Sequence, residues 1–139
     1  MRMRRVVAAA GMAVLLGAGS ALADMDEGAG DPAAGKRVYN ACKACHELTR
    51  ERNRVGPHLV QIINRPVAAV ENFRYSKALR AKGEEGMVWS EENLAQWLRN
   101  PRKFIPGNRM AFRGLRKDED IRNVIAYMRE QAGEWEGGE

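Results

Sequence analysis

Five consecutive residues, Cys42-Lys43-Ala44-Cys45-His46, constrain the fold of this chain more than any other feature. The C-x-x-C-H spacing is typical of covalent haem attachment, in which two thiols bond one porphyrin edge and the histidine lies beneath the iron. A dithiol redox pair is the alternative, but it is expected in a βαβ context that this sequence lacks. The chain has 2 cysteines, so a cysteine-rich zinc site is excluded. The motif predicts one covalent haem c, held by Cys42 and Cys45, with His46 as the proximal iron ligand.

The first 23 residues have the pattern of a secretory signal peptide. They begin with three arginines, continue with an apolar stretch over residues 6–16, and end at the small-residue site 21–23. Cleavage would leave a single mature domain, residues 24–139. An uncleaved membrane anchor is the alternative, because the apolar stretch is close to the lower length limit for a span. In either case we expect the folded part in an oxidising space outside the cytoplasm, the bacterial periplasm.

Charge is distributed unevenly along the chain. Residues 36–117 contain 18 Lys and Arg against 7 Asp and Glu, whereas both ends are acidic. Such segregation favours docking on an acidic partner, although it is also compatible with an ordinary solvated surface. Export and the absence of any binding motif argue against nucleic acid as a partner.

Capping patterns predict an all-α domain with long loops. Asp31-Pro32 has the pattern of a helix start, and the segment after it carries Val38, Ala41, Cys42 and Cys45 at helical spacing. Further starts and stops predict a helix from Ser76 through Lys82 ended by Gly83, one from Ser90 to Asn100-Pro101, and one from about Asp118 to Gly133.

The side-chain patterns agree with these helices. Leu94, Trp97 and Leu98 form an apolar face, and Ile121, Val124, Ile125 and Met128 form another. No segment alternates convincingly with a period of two. The glycine-rich ends, residues 28–30 and 137–138, are expected to fray.

The sixth iron ligand has five candidates after the leader: Met25, His58, Met87, Met110 and Met128. Met128 lies on the apolar stripe of the last helix, which favours a core position, and Met87 can pack against Trp89. His58 follows His46 by twelve residues, so the short connection favours the proximal side. Met110 follows a loop with Pro106 and Gly107 that can present a thioether to a metal. We therefore expect Met110 to be the distal ligand.

Several short motifs occur in an order more specific than the haem motif alone. They are Gly35-Lys36-Arg37-Val38-Tyr39, Val55-Gly56-Pro57-His58-Leu59, Phe73-Arg74-Tyr75-Ser76, Trp89, residues 100–110 with Ile105-Pro106-Gly107-Asn108-Arg109-Met110, Phe112-Arg113-Gly114-Leu115 and Ile125-Ala126-Tyr127. With these motifs, residues 35–127 resemble class I cytochromes c, close to mitochondrial cytochrome c and to bacterial photosynthetic and respiratory electron carriers.

The resemblance implies a cytochrome c fold of about four to five helices around one haem, with His46 and Met110 as axial ligands. It also implies that the Pro57 carbonyl accepts a hydrogen bond from His46. Gly35 and Tyr39 would pack the first helix across the last, near Tyr127. Further residues implied at the cofactor are Arg65, Tyr75, Trp89 and Trp97.

The same resemblance implies a function in electron transport rather than catalysis. A monomeric periplasmic shuttle would carry single electrons from a quinol-oxidising cytochrome complex to an oxidase, a photosynthetic reaction centre or a reductase, and would meet the membrane only through these complexes or an uncleaved leader. Docking on acidic faces of such partners is expected at Lys43, Arg102, Lys103, Arg109 and Arg113.

Two alternatives stay open at this point. One is a haem protein with a labile distal Met110 that binds small ligands or acts as a peroxidase, and the other is a tethered subunit of one redox complex. The chain departs from the family pattern at His58 (often Asn), Leu79 (often Asn), Trp97 (often Tyr) and Asn108 (often Thr). None of these departures removes an expected ligand.

Overall fold

The computed structural model describes residues 28–137, and these fold into helices joined by irregular segments. The described part contains five helices: α1 (Pro32–Tyr39), α2 (Lys77–Glu84), α3 (Glu91–Arg99), α4 (Pro101–Phe104) and α5 (Asp118–Ala132). There is no strand within these residues, and two isolated bridges pair Ile63 with Glu134 and Pro66 with Val88. The predicted all-α class and cytochrome c fold are confirmed. None of the helices in residues 28–137 is long and apolar enough to cross a membrane.

Side-chain caps begin most of the helices. The Asp31 carboxylate accepts a hydrogen bond from Ala33 N, and the Ser76 and Ser90 hydroxyls accept from the backbone at Leu79 and Asn93. Each bond satisfies a backbone N–H that has no partner within the helix. The predicted starts of α1, α2 and α3 are therefore confirmed, and α5 begins at Asp118 as expected.

Two expectations about helix ends were wrong, and a third was confirmed. The stretch from Ala41 to Cys45 is not helical, because α1 ends at Tyr39 and the chain continues in turns. Gly83 does not end α2, which runs to Glu84. Asn100 and Pro101 end α3 as expected, and they also begin α4, since the Asn100 side chain accepts from Lys103 N and proline fits the first helical position.

The crossing of α1 over α5 brings the first and the last helix of the described chain together. A Cβ on Gly35 would overlap the Asn123 carbonyl and lie 2.8 Å from Tyr127 Cβ, so the helices approach at a distance that requires glycine. The Tyr39 and Tyr127 rings lie 5.6 Å apart. The close packing expected at Gly35, Tyr39 and Tyr127 is confirmed.

The residues just before α1 and just after α5 also pack against the rest of the fold. Gly30 packs against the α5 backbone at Arg122, so the expectation of a frayed start is wrong from Gly30 onward. After α5, Trp135 N donates to Ile63 O at 2.7 Å, and Gln61 N donates to Ala132 O at 2.6 Å. The core under these segments includes Ile63, Ile105, Ile121 and Val124, all almost fully buried. The expected leader, residues 1–23, lies outside the described residues.

Candidate haem site

A cavity of about 570 Å³ lies beside the C-x-x-C-H turn and is lined mainly by apolar side chains. Sequence-predicted site residues lining it are Cys42, Cys45, His46, Pro57, Arg65, Tyr75, Trp89, Trp97, Arg109 and Met110. The lining comes from segments far apart in sequence, so the fold brings the two cysteines, His46 and Met110 to one partly open cavity. That is the arrangement a haem with two protein ligands needs.

The His46 ring is fixed by its neighbours. Its Nδ1 lies 2.7 Å from the Pro57 carbonyl oxygen, which confirms the predicted hydrogen bond and leaves Nε2 as the nitrogen available to a metal. Gly56 lies directly against the ring, because a Cβ there would be 2.7 Å from His46 Nδ1. Burial lowers the pKa of His46, despite the opposing effect of the hydrogen bond to Pro57. The imidazole is therefore held in its neutral, metal-binding form.

The two thiols lie on the turn after α1. The Cys45 and His46 N–H groups both donate to the Cys42 carbonyl, each at 3.0 Å. Burial and the neighbouring Cys45 raise the pKa of the Cys42 thiol to about 11. A dithiol redox pair needs a thiolate with a lowered pKa, so this environment disfavours the alternative and suits thiols that become thioethers.

Arg65 shows how the cavity wall fits a haem. It is 3% exposed, and its guanidinium donates to Val60 O at 2.8 Å and His58 O at 3.1 Å. Its buried Nε has no hydrogen-bond partner, and no ion pair in the described part of the chain includes it. A buried guanidinium without an anion is costly. A haem propionate at this wall would supply both the missing charge and an acceptor.

Aromatic side chains form another part of the wall. The Trp89 and Trp97 rings lie 5.3 Å apart, and Tyr75 packs edge-on against Phe73 at 4.8 Å. The Tyr75 hydroxyl accepts a hydrogen bond from Val70 N at 3.1 Å, which leaves its own proton free to donate. Tyr75, Trp89 and Trp97 all line the cavity, as expected for residues next to the cofactor.

The candidates for the sixth ligand fall into two groups. Met110 and Met128 line the cavity, whereas Met87 and His58 do not. Met25 lies outside the described residues. Met128 is 3% exposed on the buried face of α5, whereas Met110 is half-buried on the loop after Gly107. The structure therefore reduces the described candidates to these two methionines, of which Met128 lies within a helix and Met110 on a loop.

The predicted docking residues lie on the surface. Lys43, Arg102, Lys103, Arg109 and Arg113 are all exposed. Arg109 also lines the cavity and donates a hydrogen bond to the Arg74 carbonyl. Its guanidinium therefore connects the Met110 loop to the segment that carries Tyr75.

Sequence reasoning missed two contributions to the site. Arg74 lines the cavity, and its place between Phe73 and Tyr75 in a matched motif could have identified it. Asn108 was noted only as a departure from the family, but its side chain makes three hydrogen bonds within the Met110 loop. No pattern in the sequence distinguishes such a side chain from an ordinary loop asparagine.

Comparison with known proteins agrees with this geometry. The cytochrome c family profile matches residues 32–132. The chain is 45% identical over 98 residues to cytochrome c2 of Afifella marina, covering 70% of this chain and 79% of that protein. It is 39% identical over 100 residues to cytochrome c-550 of Nitrobacter winogradskyi, covering 71% and 89%.

A solved structure shows the same fold. Cytochrome cH from Methylobacterium extorquens superposes with a TM-score of 0.66 at 34% identity, covering 73% of this chain and 99% of that one. Sequence, cavity and fold agree, and the chain belongs to the cytochrome c family, non-enzymatic electron carriers with one covalently bound haem c.

Proposed function

We propose that this protein is a periplasmic shuttle that carries single electrons through a haem c bonded to Cys42 and Cys45 and ligated by His46 and Met110. It takes electrons from a quinol-oxidising cytochrome complex and delivers them to an oxidase, a reaction centre or a reductase. The observation that carries this proposal is that His46, with Nε2 left for a metal, lines the same apolar cavity as Met110. Two strong ligands leave the iron no open position, so electron transfer remains as its activity.

The ligands and the apolar walls of the cavity suit an electron carrier of fairly high reduction potential. Methionine is a neutral, soft ligand that stabilises Fe(II) and raises the potential relative to a second histidine. Apolar walls oppose the additional charge of the oxidised iron, because a buried charge is costly in a medium of low polarity.

The test of ligation compares Met110→Ala with Met128→Leu. We expect Met110→Ala to lower the reduction potential and to let the reduced protein bind carbon monoxide, because the iron loses its thioether ligand. Met128→Leu is the matched control, a swap of similar volume at the other methionine of the cavity. It should leave the potential and the visible spectrum unchanged.

The outcomes separate the possible ligands. An unchanged potential in Met110→Ala together with a shift in Met128→Leu would assign the iron bond to Met128. If the unsubstituted reduced protein itself binds carbon monoxide, the proposal that His46 and Met110 fill both iron positions is contradicted. The protein would then be a ligand-binding haem protein.

Periplasmic location is supported by the leader pattern and by relatives that are bacterial cytochromes c2 and c-550. We expect the protein to appear in the periplasmic fraction and, when purified from that fraction, to start at Asp24. A chain that retains residues 1–23 and stays with the membrane would instead indicate a tethered subunit.

A further inference from the structure

The loop between α4 and Met110 is held by the side chain of one residue, Asn108. Its Nδ2 donates to the Pro101 carbonyl at 2.9 Å and to the Ile105 carbonyl at 2.8 Å, and its Oδ1 accepts from Met110 N at 3.0 Å. A carboxamide has two N–H donors and one oxygen acceptor. Both donors and the oxygen of Asn108 are thus used inside the loop.

These three bonds connect Met110 to a rigid anchor. Pro101 and Ile105 are the buried residues at the two ends of α4, and Ile105 is 1% exposed. Gly107, at φ 86°, makes the turn between the anchor and Asn108. Since the amide ties both carbonyls of the anchor to the Met110 N–H, the backbone of Met110 cannot move away without breaking a side-chain hydrogen bond.

We propose that Asn108 is a positioning residue for the distal ligand and that it keeps Met110 in place for the iron before and after each electron transfer. The proposal rests on the proposed function, in which Met110 binds the iron. A loop fixed in advance loses less conformational freedom when its side chain binds, so the bond forms more favourably and opens less often.

The chemistry of asparagine is needed for this arrangement. A hydroxyl side chain at the same position has one proton and one oxygen, so it cannot donate to two carbonyls while accepting from Met110 N. Asn108→Ser should keep the acceptor, because a serine oxygen can accept from the N–H two residues ahead, as in an ST-turn. Asn108→Ala removes all three bonds.

The experiment measures how often the distal side opens. Cyanide is added to the oxidised full-length protein, and its binding rate is followed by visible absorption at saturating cyanide, where opening of the Met–iron bond limits the rate. We expect Asn108→Ala to bind cyanide about ten-fold faster than the unsubstituted protein. That factor corresponds to about 1.4 kcal/mol, roughly the net contribution of the one hydrogen bond that reaches Met110 N itself. Asn108→Ser should fall between the two.

Asn93→Ala is the matched control. The Asn93 amide also donates to a backbone carbonyl, that of Val88 at 2.8 Å, but it lies outside the Met110 loop. We expect its cyanide rate to equal that of the unsubstituted protein, even if the free energy of unfolding falls. Equal rates for Asn108→Ala and Asn93→Ala, or no recovery in Asn108→Ser, would overturn the positioning role.

Met110→Ala separates failure of this proposal from failure of the proposed ligation. If Met110→Ala binds cyanide without a slow opening step but Asn108→Ala behaves like the unsubstituted protein, Met110 is the ligand and Asn108 does not position it. If Met110→Ala also leaves the rate unchanged, the ligand assignment itself fails.

Discussion

At the scale of single residues, His58 departs from the family pattern, and its hydrogen bonds and its pKa show how the fold accommodates it. Its N–H donates to Asn53 Oδ1 at 3.1 Å, its Nδ1 accepts from Val60 N at 3.3 Å, and its carbonyl accepts from Arg65. Burial lowers the pKa of His58, the Arg65 charge lowers it further, and Glu51 opposes both. A proton on Nδ1 would also face the Val60 N–H. The folded protein therefore favours neutral His58.

This preference predicts an acid-sensitive stability. The unfolded chain takes up the His58 proton at an ordinary pKa of about 6.5, so the contribution of neutral His58 is present above that pH and is lost as the pH falls below it. We expect the free energy of unfolding to decrease between about pH 7.5 and about pH 5. His58→Asn should show a smaller decrease in denaturant titrations at the two pH values. An equal decrease would mean that other groups produce the pH dependence.

At the scale of the elements, the crossing of α1 and α5 is the most extensive packing between two helices of the described residues. Asp31 N donates to the Asn123 side chain at 2.7 Å, and the backbones meet at Gly35, where a Cβ would overlap the Asn123 carbonyl. In an exposed helix, alanine would be more favourable than glycine by about 1 kcal/mol. Here the close approach reverses that preference.

We accordingly expect Gly35→Ala to lower the free energy of unfolding by about 1–3 kcal/mol, the usual cost of excess volume in a packed interface. Urea unfolding followed by circular dichroism measures the change. Ala33→Ser is the control, because it adds one heavy atom to an exposed position of the same helix and should change stability by less than about 0.5 kcal/mol. A stabilised Gly35→Ala protein would mean that the helices can separate slightly without loss.

The helix ends show how far sequence could predict this fold. The starts at Asp31, Ser76 and Ser90 were predictable because a cap depends on neighbouring residues alone. The end of α2 was not predictable, because Gly83 packs closely against another segment: a Cβ at this position would overlap the Val67 carbonyl. A glycine inside a helix and a glycine that ends one look the same in sequence.

In the candidate site, too, the residues that belong to local motifs were predictable, whereas contacts between distant segments were not. The two cysteines and His46 were predictable from their spacing, and Met110 from its loop motif. The buried Nε of Arg65 and the three bonds of Asn108 depend on carbonyl groups that only the folded backbone brings into reach. Only Arg65 could be inferred beforehand, and then by resemblance rather than from its own sequence neighbours.

At the scale of the whole molecule, positive surface charge is the property that we expect to control the rate of encounter with a redox partner. Residues 36–117 carry a large excess of Lys and Arg over Asp and Glu, and the predicted docking residues are exposed. Exposed charges act mainly on the rate of encounter, and salt screens them. Their contribution should therefore be visible in kinetics at low ionic strength rather than in stability.

We expect Arg102→Gln/Lys103→Gln to slow oxidation of the reduced protein by ferricyanide about three-fold at about 0.01 M ionic strength, where screening extends over about 30 Å. Stopped-flow absorption at low and high salt measures the rate. Lys36→Gln/Arg37→Gln removes the same charge from α1, which carries none of the predicted docking residues, and should slow the reaction less. Equal slowing by the two pairs would indicate net charge rather than a docking face.

The junction of α1 with α5 also has a consequence for how the protein assembles. Asp31 and Asn123, which this junction joins by a hydrogen bond, are 92 residues apart in the sequence. Among the described residues α1 packs against no helix other than α5, so it lacks its helical partner until α5 has formed, and contacts between such distant residues form slowly. Cys42 and Cys45 follow α1 directly and stay accessible in the meantime. Haem can thus be bonded to an open chain, and docking of α5 afterwards closes the protein around it.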